Sequence, residues 1–209
     1  MSNINKAFSK GKAFVPFITC GQISLDITEK TIYEMEKNGA DLIELGIPFS
    51  DPVAEGSIIQ SANNRALRNK TTTDKIFSMV ESVRKNTDIP MVFMTYANIV
   101  FSYGIERFAK KSKELKMDGI ILPDVPYEEK KEFDSIFKKY DMDFISLIAP
   151  TSEERISAIA KDSSGFIYCV SSLGVTGIRE NINTNILVNE NNIKKLDELL
   201  PLRWDIDEL

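Results

Sequence analysis

The sequence of 209 residues contains no histidine, and this absence excludes several mechanisms. Ser-His-Asp and Cys-His catalysis both need an imidazole group, and histidine is also the commonest metal ligand. Proton transfer in this protein is then left to carboxylates, tyrosines and backbone groups.

Cysteine is scarce as well, since Cys20 and Cys169 are the two in the chain. Each falls within an apolar run that is typical of a strand. We interpret them as small buried hydrophobic residues rather than as a disulfide or a metal-binding pair.

Long apolar runs and basic clusters are also missing. The longest apolar runs have the length of a strand, and residues 1–6 lack the apolar core of a signal peptide, so we expect a cytosolic, cytoplasmic protein without a membrane span. A formal net charge of -5 argues against nucleic acid as a partner. Hydrophobic residues make up 43% of the chain, enough for the core of one globular domain.

Strand-like and helix-like segments alternate along the chain. Six apolar or β-branched runs predict strands over residues 14–20, 42–48, 90–96, 119–123, 144–149 and 166–171. Amphipathic stretches predict a helix that starts at Ser24 or Asp26 and stops at Asn38, and further helices over residues 58–70, 74–86, 105–116, 128–140 and 153–161. This alternation is typical of a parallel sheet with right-handed crossovers, either a closed barrel or an open doubly wound sheet.

The positions of the unusual residues favour the barrel. Glycines, acids and Tyr96 fall at or just beyond the carboxyl ends of the predicted strands, which is the functional face of a TIM (β/α)8 barrel. An open sheet would gather them at one switch point. The predicted fold class is therefore α/β, an incomplete TIM (β/α)8-type barrel with about six of the eight β/α units.

The stretch from Asp41 to Gly56 passes directly from a buried strand into a loop rich in acids and prolines. One acid, Glu44, interrupts the apolar run of that strand. An ionised carboxylate inside such a run is unfavourable unless it has a partner or a function. Glu44 is therefore either a structural acid with satisfied hydrogen bonds or a general acid/base whose pKa is raised by its surroundings.

Six blocks of the sequence resemble the tryptophan synthase alpha chain family, in that family's order and spacing. The most specific block is Glu44-Leu-Gly-Ile-Pro-Phe-Ser-Asp-Pro-Val-Ala-Glu-Gly56. The others are Phe14-Val-Pro-Phe-Ile-Thr-Cys-Gly21, Met94-Thr-Tyr-Ala-Asn98, Leu122-Pro-Asp-Val-Pro126, Leu147-Ile-Ala-Pro150 and Tyr168-Cys-Val-Ser-Ser-Leu-Gly-Val-Thr-Gly177.

The likeness is lost after Asn185, as a truncation or a shifted reading frame would produce. Residues 1–185 are accordingly interpreted as an incomplete barrel domain, and residues 186–209 as a divergent tail that could form one short helix around Ile193 to Leu200.

The resemblance implies a lyase of tryptophan biosynthesis. Such an enzyme cleaves indole-3-glycerol phosphate to indole and glyceraldehyde 3-phosphate by a retro-aldol step, without a metal or a cofactor. Glu44 matches the family's catalytic glutamate. Glu55 stands where the best-known relatives carry an aspartate that hydrogen-bonds the indole N–H group, whereas without the family it would be interpreted as a solvated loop acid.

The resemblance also implies a substrate site. Its residues are Phe17, Ile59, Tyr96 and Ile148 around the indole, Tyr168 beside the catalytic glutamate, and Thr176 and Gly177 in a mobile loop whose glycine reaches the phosphate. From their pattern alone, the first five are equally typical of ordinary core. Asp124 is equally well explained as a helix cap.

Members of the family bind a pyridoxal-phosphate beta chain in an alpha2beta2 heterotetramer. The matching contact region would be Asp51-Pro52 with the loop to Gly56, and Asn98 to Tyr103. The alternative is a catalytically impaired remnant that at most binds the beta chain, because six strands fall short of eight. In such a protein strands one and six are expected to have unpaired edges.

Overall fold

The computed structural model describes residues 3–148 and 155–170, together with the backbone of Leu202–Trp204. Among these residues, seven parallel strands form one sheet, in which each strand pairs with the next described strand along the chain. The strands are β1 (Phe17–Thr19), β2 (Ile43–Gly46), β3 (Met91–Met94), β4 (Gly119–Ile121), β5 (Asp143–Ile148), β6 (Ile167–Cys169) and β7 (Leu202–Trp204). The helices are α1 (Ile4–Ala7), α2 (Leu25–Lys37), α3 (Ser57–Arg68), α4 (Thr73–Val83), α5 (Ala97–Tyr103), α6 (Ile105–Glu114), α7 (Lys130–Lys139) and α8 (Ile156–Lys161).

The order of the strands distinguishes a barrel-type sheet from an open doubly wound sheet. An open sheet reverses its strand order at a switch point, whereas the order here runs from β1 to β7 without a reversal. Helices lie between the consecutive strands from β1 to β6. The predicted α/β class, an incomplete TIM-type barrel, is confirmed.

The edge of β6 differs from the prediction. It is not unpaired, because β7 lies parallel to it in the register Ile167↔Leu202, Tyr168↔Arg203 and Cys169↔Trp204. A run of three residues is too short to show a strand period, so only the long-range pairing identifies it. The helix predicted around residues 193–200 lies outside the described residues.

The side chains on the two faces of the sheet belong to different hydrophobic clusters. Side chains that point outward, such as Ile43, Leu45 and Phe93, pack under the helices in the larger hydrophobic core. The alternate side chains point inward and form a second cluster, here called the barrel interior. Its buried members are Ile4, Ala7, Leu42, Val92, Ile121, Ile145, Phe166 and Tyr168.

The starts of two helices differ in whether neighbouring residues in the sequence predict them. The Ser24 hydroxyl accepts a hydrogen bond from the Ile27 N–H group at 3.1 Å, which confirms one of the two predicted starts of α2. Helix α5 was not predicted, and its Ala97 N–H group donates to both carboxylate oxygens of Asp124, at 3.0 and 3.1 Å. Asp124 therefore caps a helix of the preceding β/α unit, a contact that its own neighbours in sequence do not indicate.

A buried ion pair joins several elements at the amino-terminal ends of β3 and β4. Arg84 Nη2 lies 3.4 Å from Asp118 Oδ2, and both side chains are less than a tenth exposed. Asp118 also accepts hydrogen bonds from the N–H groups of Asn3 (2.8 Å) and Met91 (3.0 Å). These contacts fasten the amino-terminal segment beneath the barrel interior.

Both cysteines are buried, as predicted. No helix in the described part of the chain combines the length and the apolar character that a membrane span requires.

Candidate active site

Glu44 lies on the interior face of β2. It alternates with Ile43 and Leu45, which pack outward under the helices, and it shares its face with Leu42 of the barrel interior. The residue is completely buried. Its backbone neighbours in the sheet are Phe17 on β1 and Val92 on β3. The predicted burial of an acid within this strand is confirmed.

The Phe17 ring lies against Gly46, two positions beyond Glu44 on the same face of β2. A Cβ atom at position 46 would come within 2.6 Å of the Phe17 ring, so the close approach of the ring requires glycine there. This packing places an aromatic face next to the position of Glu44.

Tyr168 of β6 is 5% exposed and belongs to the barrel interior. It shares that cluster with Leu42, the residue two positions before Glu44 on the same face of β2. Three of the residues that the sequence assigned to the site, Phe17, Glu44 and Tyr168, thus point to the same side of the sheet.

Tyr96 fastens the loop that follows β2. Its hydroxyl group accepts hydrogen bonds from the N–H groups of Val53 (3.2 Å) and Ala54 (3.1 Å), and it donates one to Glu55 Oε2. The Phe49 ring packs on Tyr96 with 5.1 Å between the ring centroids. A side chain at the end of β3 therefore sets the position of the acid in the loop beyond β2.

This contact changes the proton affinity of both groups. Burial raises the pKa of Glu55, and the hydrogen bond from Tyr96 partly opposes that rise. Burial and the same hydrogen bond both raise the pKa of Tyr96, so the phenol keeps its proton. Glu55 is half-buried and hydrogen-bonded rather than fully solvated.

Ile148 does not lie where the prediction put it. It is outside the barrel, packed with Ile156 and Ile159 of α8, and it is the preceding residue, Leu147, that packs in the barrel interior. Because side chains alternate along a strand, an offset of one residue moves a side chain to the opposite face. Leu147, like Ile145, therefore lies on the interior face of β5.

The remaining predicted residues are spread out. Ile59 is half-buried on the first turn of α3. Asp124 caps α5, which confirms a structural role for it. Thr176 and Gly177 lie outside the described residues.

One candidate was missed by the sequence. Thr19, the last residue of β1, points to the same face as Phe17, and its buried hydroxyl group has no hydrogen-bond partner among the described residues. A hydroxyl within an apolar strand, two positions after a predicted site residue, was the available signal. As for metal, no group of three or more acidic or sulfur ligands comes together in the ranges that the structure describes.

A barrel-type parallel sheet with a buried glutamate on its interior face, and a second acid held on the loop beyond the same strand, is typical of an enzyme of the (β/α)8-barrel class, with two carboxyl groups as candidates for proton transfer. The family model for the tryptophan synthase alpha chain matches residues 3–203. The chain therefore belongs to the tryptophan synthase alpha chain family.

Individual relatives agree with this assignment. The tryptophan synthase alpha chain of Clostridium acetobutylicum is 50% identical over 183 residues, covering 88% of this chain and 68% of that protein. The protein of the same name from Lacticaseibacillus casei is 48% identical over 180 residues, covering 86% of this chain and 68% of the relative. The chain thus matches about two-thirds of the length of each relative.

Solved structures have the same fold. The tryptophan synthase alpha chain of Legionella pneumophila superposes with a TM-score of 0.84 at 32% identity, covering 98% of this chain and 76% of that chain. A chain of the tryptophan synthase a2b2 complex of Pyrococcus furiosus gives a TM-score of 0.77 at 30% identity, covering 92% of this chain and 86% of that chain. The family match runs to residue 203, whereas the alignment with the Clostridium acetobutylicum relative spans 183 residues, so the loss of likeness after Asn185 stays a prediction.

Proposed function

We propose that this chain cleaves indole-3-glycerol phosphate to indole and glyceraldehyde 3-phosphate, with Glu44 as the group that transfers protons. The observation that carries the proposal is the position of Glu44, fully buried on the interior face of β2, two residues before the carboxyl end of that strand in a barrel-type sheet. Membership of the tryptophan synthase alpha chain family supports it.

The reaction needs two proton movements and no external oxidant or reductant. Protonation of the indole ring at C3 makes the ring a competent leaving group, and the bond between indole C3 and the glycerol chain then breaks. The electrons of that bond return to the indole ring. The adjacent glycerol hydroxyl group loses its proton to a base and becomes the aldehyde of glyceraldehyde 3-phosphate.

Glu55 serves the indole end of the substrate in this proposal. Its carboxylate accepts a hydrogen bond from the indole N–H group and stabilises the positive charge that develops on the ring when C3 is protonated. The contact with Tyr96 supports this role, because it holds the carboxylate beside the carboxyl end of β3. Phe17, Tyr96, Leu147 and Tyr168 supply the pocket around the ring. We assign the phosphate to Gly177, in a loop whose Thr176 closes over the two carboxylates.

The partner in this proposal is a tryptophan synthase beta chain, as the family implies. The surface that supports it includes two exposed apolar side chains, Val53 on the loop after β2 and Phe101 on α5, at 72% and 48% exposure. Exposed apolar groups of this kind gain most from burial against a partner. We expect the enzyme to act in the cytoplasm.

The role of Glu44 is tested by Glu44→Gln, which keeps size and polarity but removes the titrating group. We expect the rate of indole release from indole-3-glycerol phosphate to fall by on the order of 10²–10⁴-fold. Glu81→Gln, which changes an exposed acid on α4, is the matched control and should leave the rate unchanged. Equal turnover in Glu44→Gln and the parent protein would refute the assignment.

A further inference from the structure

Thr19 carries a buried hydroxyl group for which the described part of the chain offers no partner. The residue is 2% exposed, and its Oγ1 atom forms no hydrogen bond with any residue that the structure describes. Two other buried threonines are paired: Thr28 accepts from the Gly21 N–H group and donates to the Ser24 carbonyl group, both at 3.0 Å. Thr95 likewise donates to the Ile47 carbonyl group at 3.3 Å.

The position of Thr19 directs this hydroxyl group into the mouth of the barrel. Its neighbours Ile18 and Cys20 both pack outward under the helices, so Thr19 lies on the interior face of β1. It is the last residue of the strand and therefore lies at the carboxyl, functional end.

Glu44 lies one inward-facing position further from the carboxyl end of the strands than Thr19 does. Thr19 pairs in register with Gly46, which has no side chain to place beside it, while Phe17 pairs with Glu44. A ligand that enters from the carboxyl end of the strands would therefore meet the Thr19 hydroxyl group just above the carboxyl group of Glu44.

Threonine is an unfavourable choice for the fold alone at this position. Valine has nearly the same shape and suits a strand equally well. A buried hydroxyl group that gives up its bonds to water and gains none destabilises the folded state. The hydroxyl group is consequently explained by a polar ligand group that reaches it when the site is filled.

We propose that the Thr19 hydroxyl group binds a hydroxyl group of the substrate's glycerol chain, next to Glu44. This inference rests on the proposed function, in which Glu44 receives the proton of that chain's reacting hydroxyl group. A threonine hydroxyl can donate one hydrogen bond and accept another, so it matches an alcohol, which does the same. Held in this way, the reacting hydroxyl group faces the carboxylate that takes its proton.

Thr19→Val separates a binding role from a structural one by its effect on stability. Because the variant removes an unpaired buried hydroxyl group without changing shape, we expect the melting temperature to rise by about 2–4 °C. The matched control is Thr28→Val, which also removes a buried hydroxyl group but leaves the Gly21 N–H group without its acceptor. That control should lower the melting temperature.

The second measurement is substrate affinity. Calorimetric titration of indole-3-glycerol phosphate into Glu44→Gln protein, in which turnover is blocked, gives the reference Kd. Adding Thr19→Val should weaken binding by about tenfold, and Thr19→Ser should restore most of the affinity. In the otherwise unmodified protein, kcat/KM for indole release should fall by a similar factor in Thr19→Val.

Each outcome decides the proposal. A Thr19→Val protein that melts below the parent would show that the hydroxyl group has a structural partner, and would overturn the inference. Unchanged Kd in a more stable variant would overturn it too, while leaving the proposed function intact. If the parent binds the substrate without releasing indole, the proposed function fails and the Kd still tests Thr19. If the parent does not bind it at all, both are overturned.

Discussion

Tyr96 holds the loop between β2 and α3 through one hydroxyl group. That group accepts from two backbone N–H groups, of Val53 and Ala54, and donates to Glu55. Glutamate reaches one methylene further than the aspartate of the family's best-known members, and in this chain the longer side chain contacts the end of β3. At the scale of single residues, Tyr96 therefore holds Glu55 in position and partly opposes the rise in its pKa that burial causes.

Tyr96→Phe should raise the pKa of Glu55 further. The hydrogen bond from the phenol favours the ionised carboxylate, and the variant removes it while burial, which already raises the pKa, remains. The titration of the Glu55 carboxyl carbon by NMR, assigned with Glu55→Gln, measures this shift. Tyr140→Phe, which removes a hydroxyl group bound to Glu106, should leave the Glu55 titration unchanged. A Glu55 pKa that stays constant or falls in Tyr96→Phe would contradict the expectation.

The raised pKa of Glu55 also fixes the sign of its effect on stability. A carboxyl group whose pKa is higher in the folded state than its ordinary value of 4.5 holds its proton more tightly when the protein is folded. Its contribution to the free energy of unfolding is therefore present below 4.5 and is lost as pH rises through the folded pKa. In Tyr96→Phe this loss should move to higher pH.

At the scale of elements, the loop over residues 49–56 is the segment that links the site to the proposed partner surface. Pro48, just before the loop, and Pro52, within it, oppose a regular helix or strand. Val53 is its most exposed apolar side chain, and the hydrogen bonds to Tyr96 hold the loop at Val53, Ala54 and Glu55. Ordering of this loop by a partner would act directly on the acid that it carries.

Amide exchange over residues 49–56 should slow when a tryptophan synthase beta chain binds. The physical reason is that burial of Val53 and the exclusion of water stabilise hydrogen bonds which are half-exposed in the free chain. Exchange measured by mass spectrometry, with and without the beta chain, tests this. The amides of α2, which lies away from the loop in sequence, serve as the internal reference. Unchanged loop exchange despite proven complex formation would exclude this contact surface.

At the scale of the whole molecule, a buried charge cluster connects several elements at the amino-terminal ends of the strands. Asp118 accepts hydrogen bonds from the amino-terminal segment and from the start of β3, and it pairs with Arg84 from the end of α4. Arg84 also donates to the carbonyl groups of Ile89 and Lys116. These groups connect the amino-terminal segment, two strands and one helix at the base of the barrel interior.

Asp118→Ala should lower the free energy of unfolding by about 3–5 kcal/mol, because it leaves the buried Arg84 charge without its partner. Urea unfolding followed by circular dichroism measures the change. Glu114→Ala removes one partner of the exposed pair with Lys111, so it should change stability by less than about 0.5 kcal/mol. A loss for Asp118→Ala that is as small as this control would show that the cluster does not hold the base of the barrel together.

Much of the site could be predicted because its signals are local. Glu44 stands out as an acid inside an apolar strand, and the block that follows it in sequence carries Glu55. Two features could not be found in this way. The first is the face of the sheet to which Ile148 points, because an offset of one residue along β5 moves a side chain to the opposite face. The second is the absence of a hydrogen-bond partner for Thr19 among the described residues, because it depends on all the residues packed around the hydroxyl group.

The sequence by itself determined the succession of strands and helices, the parallel sheet and the family, because hydrophobic period, turn residues and motif spacing are properties of neighbouring residues. Only the tertiary structure decided the pairing of β7 with β6, the capping of α5 by Asp124 and the hold of Tyr96 on Glu55. Each of these contacts joins residues far apart in the chain. Their formation depends on the folded positions of whole elements, which no local pattern encodes.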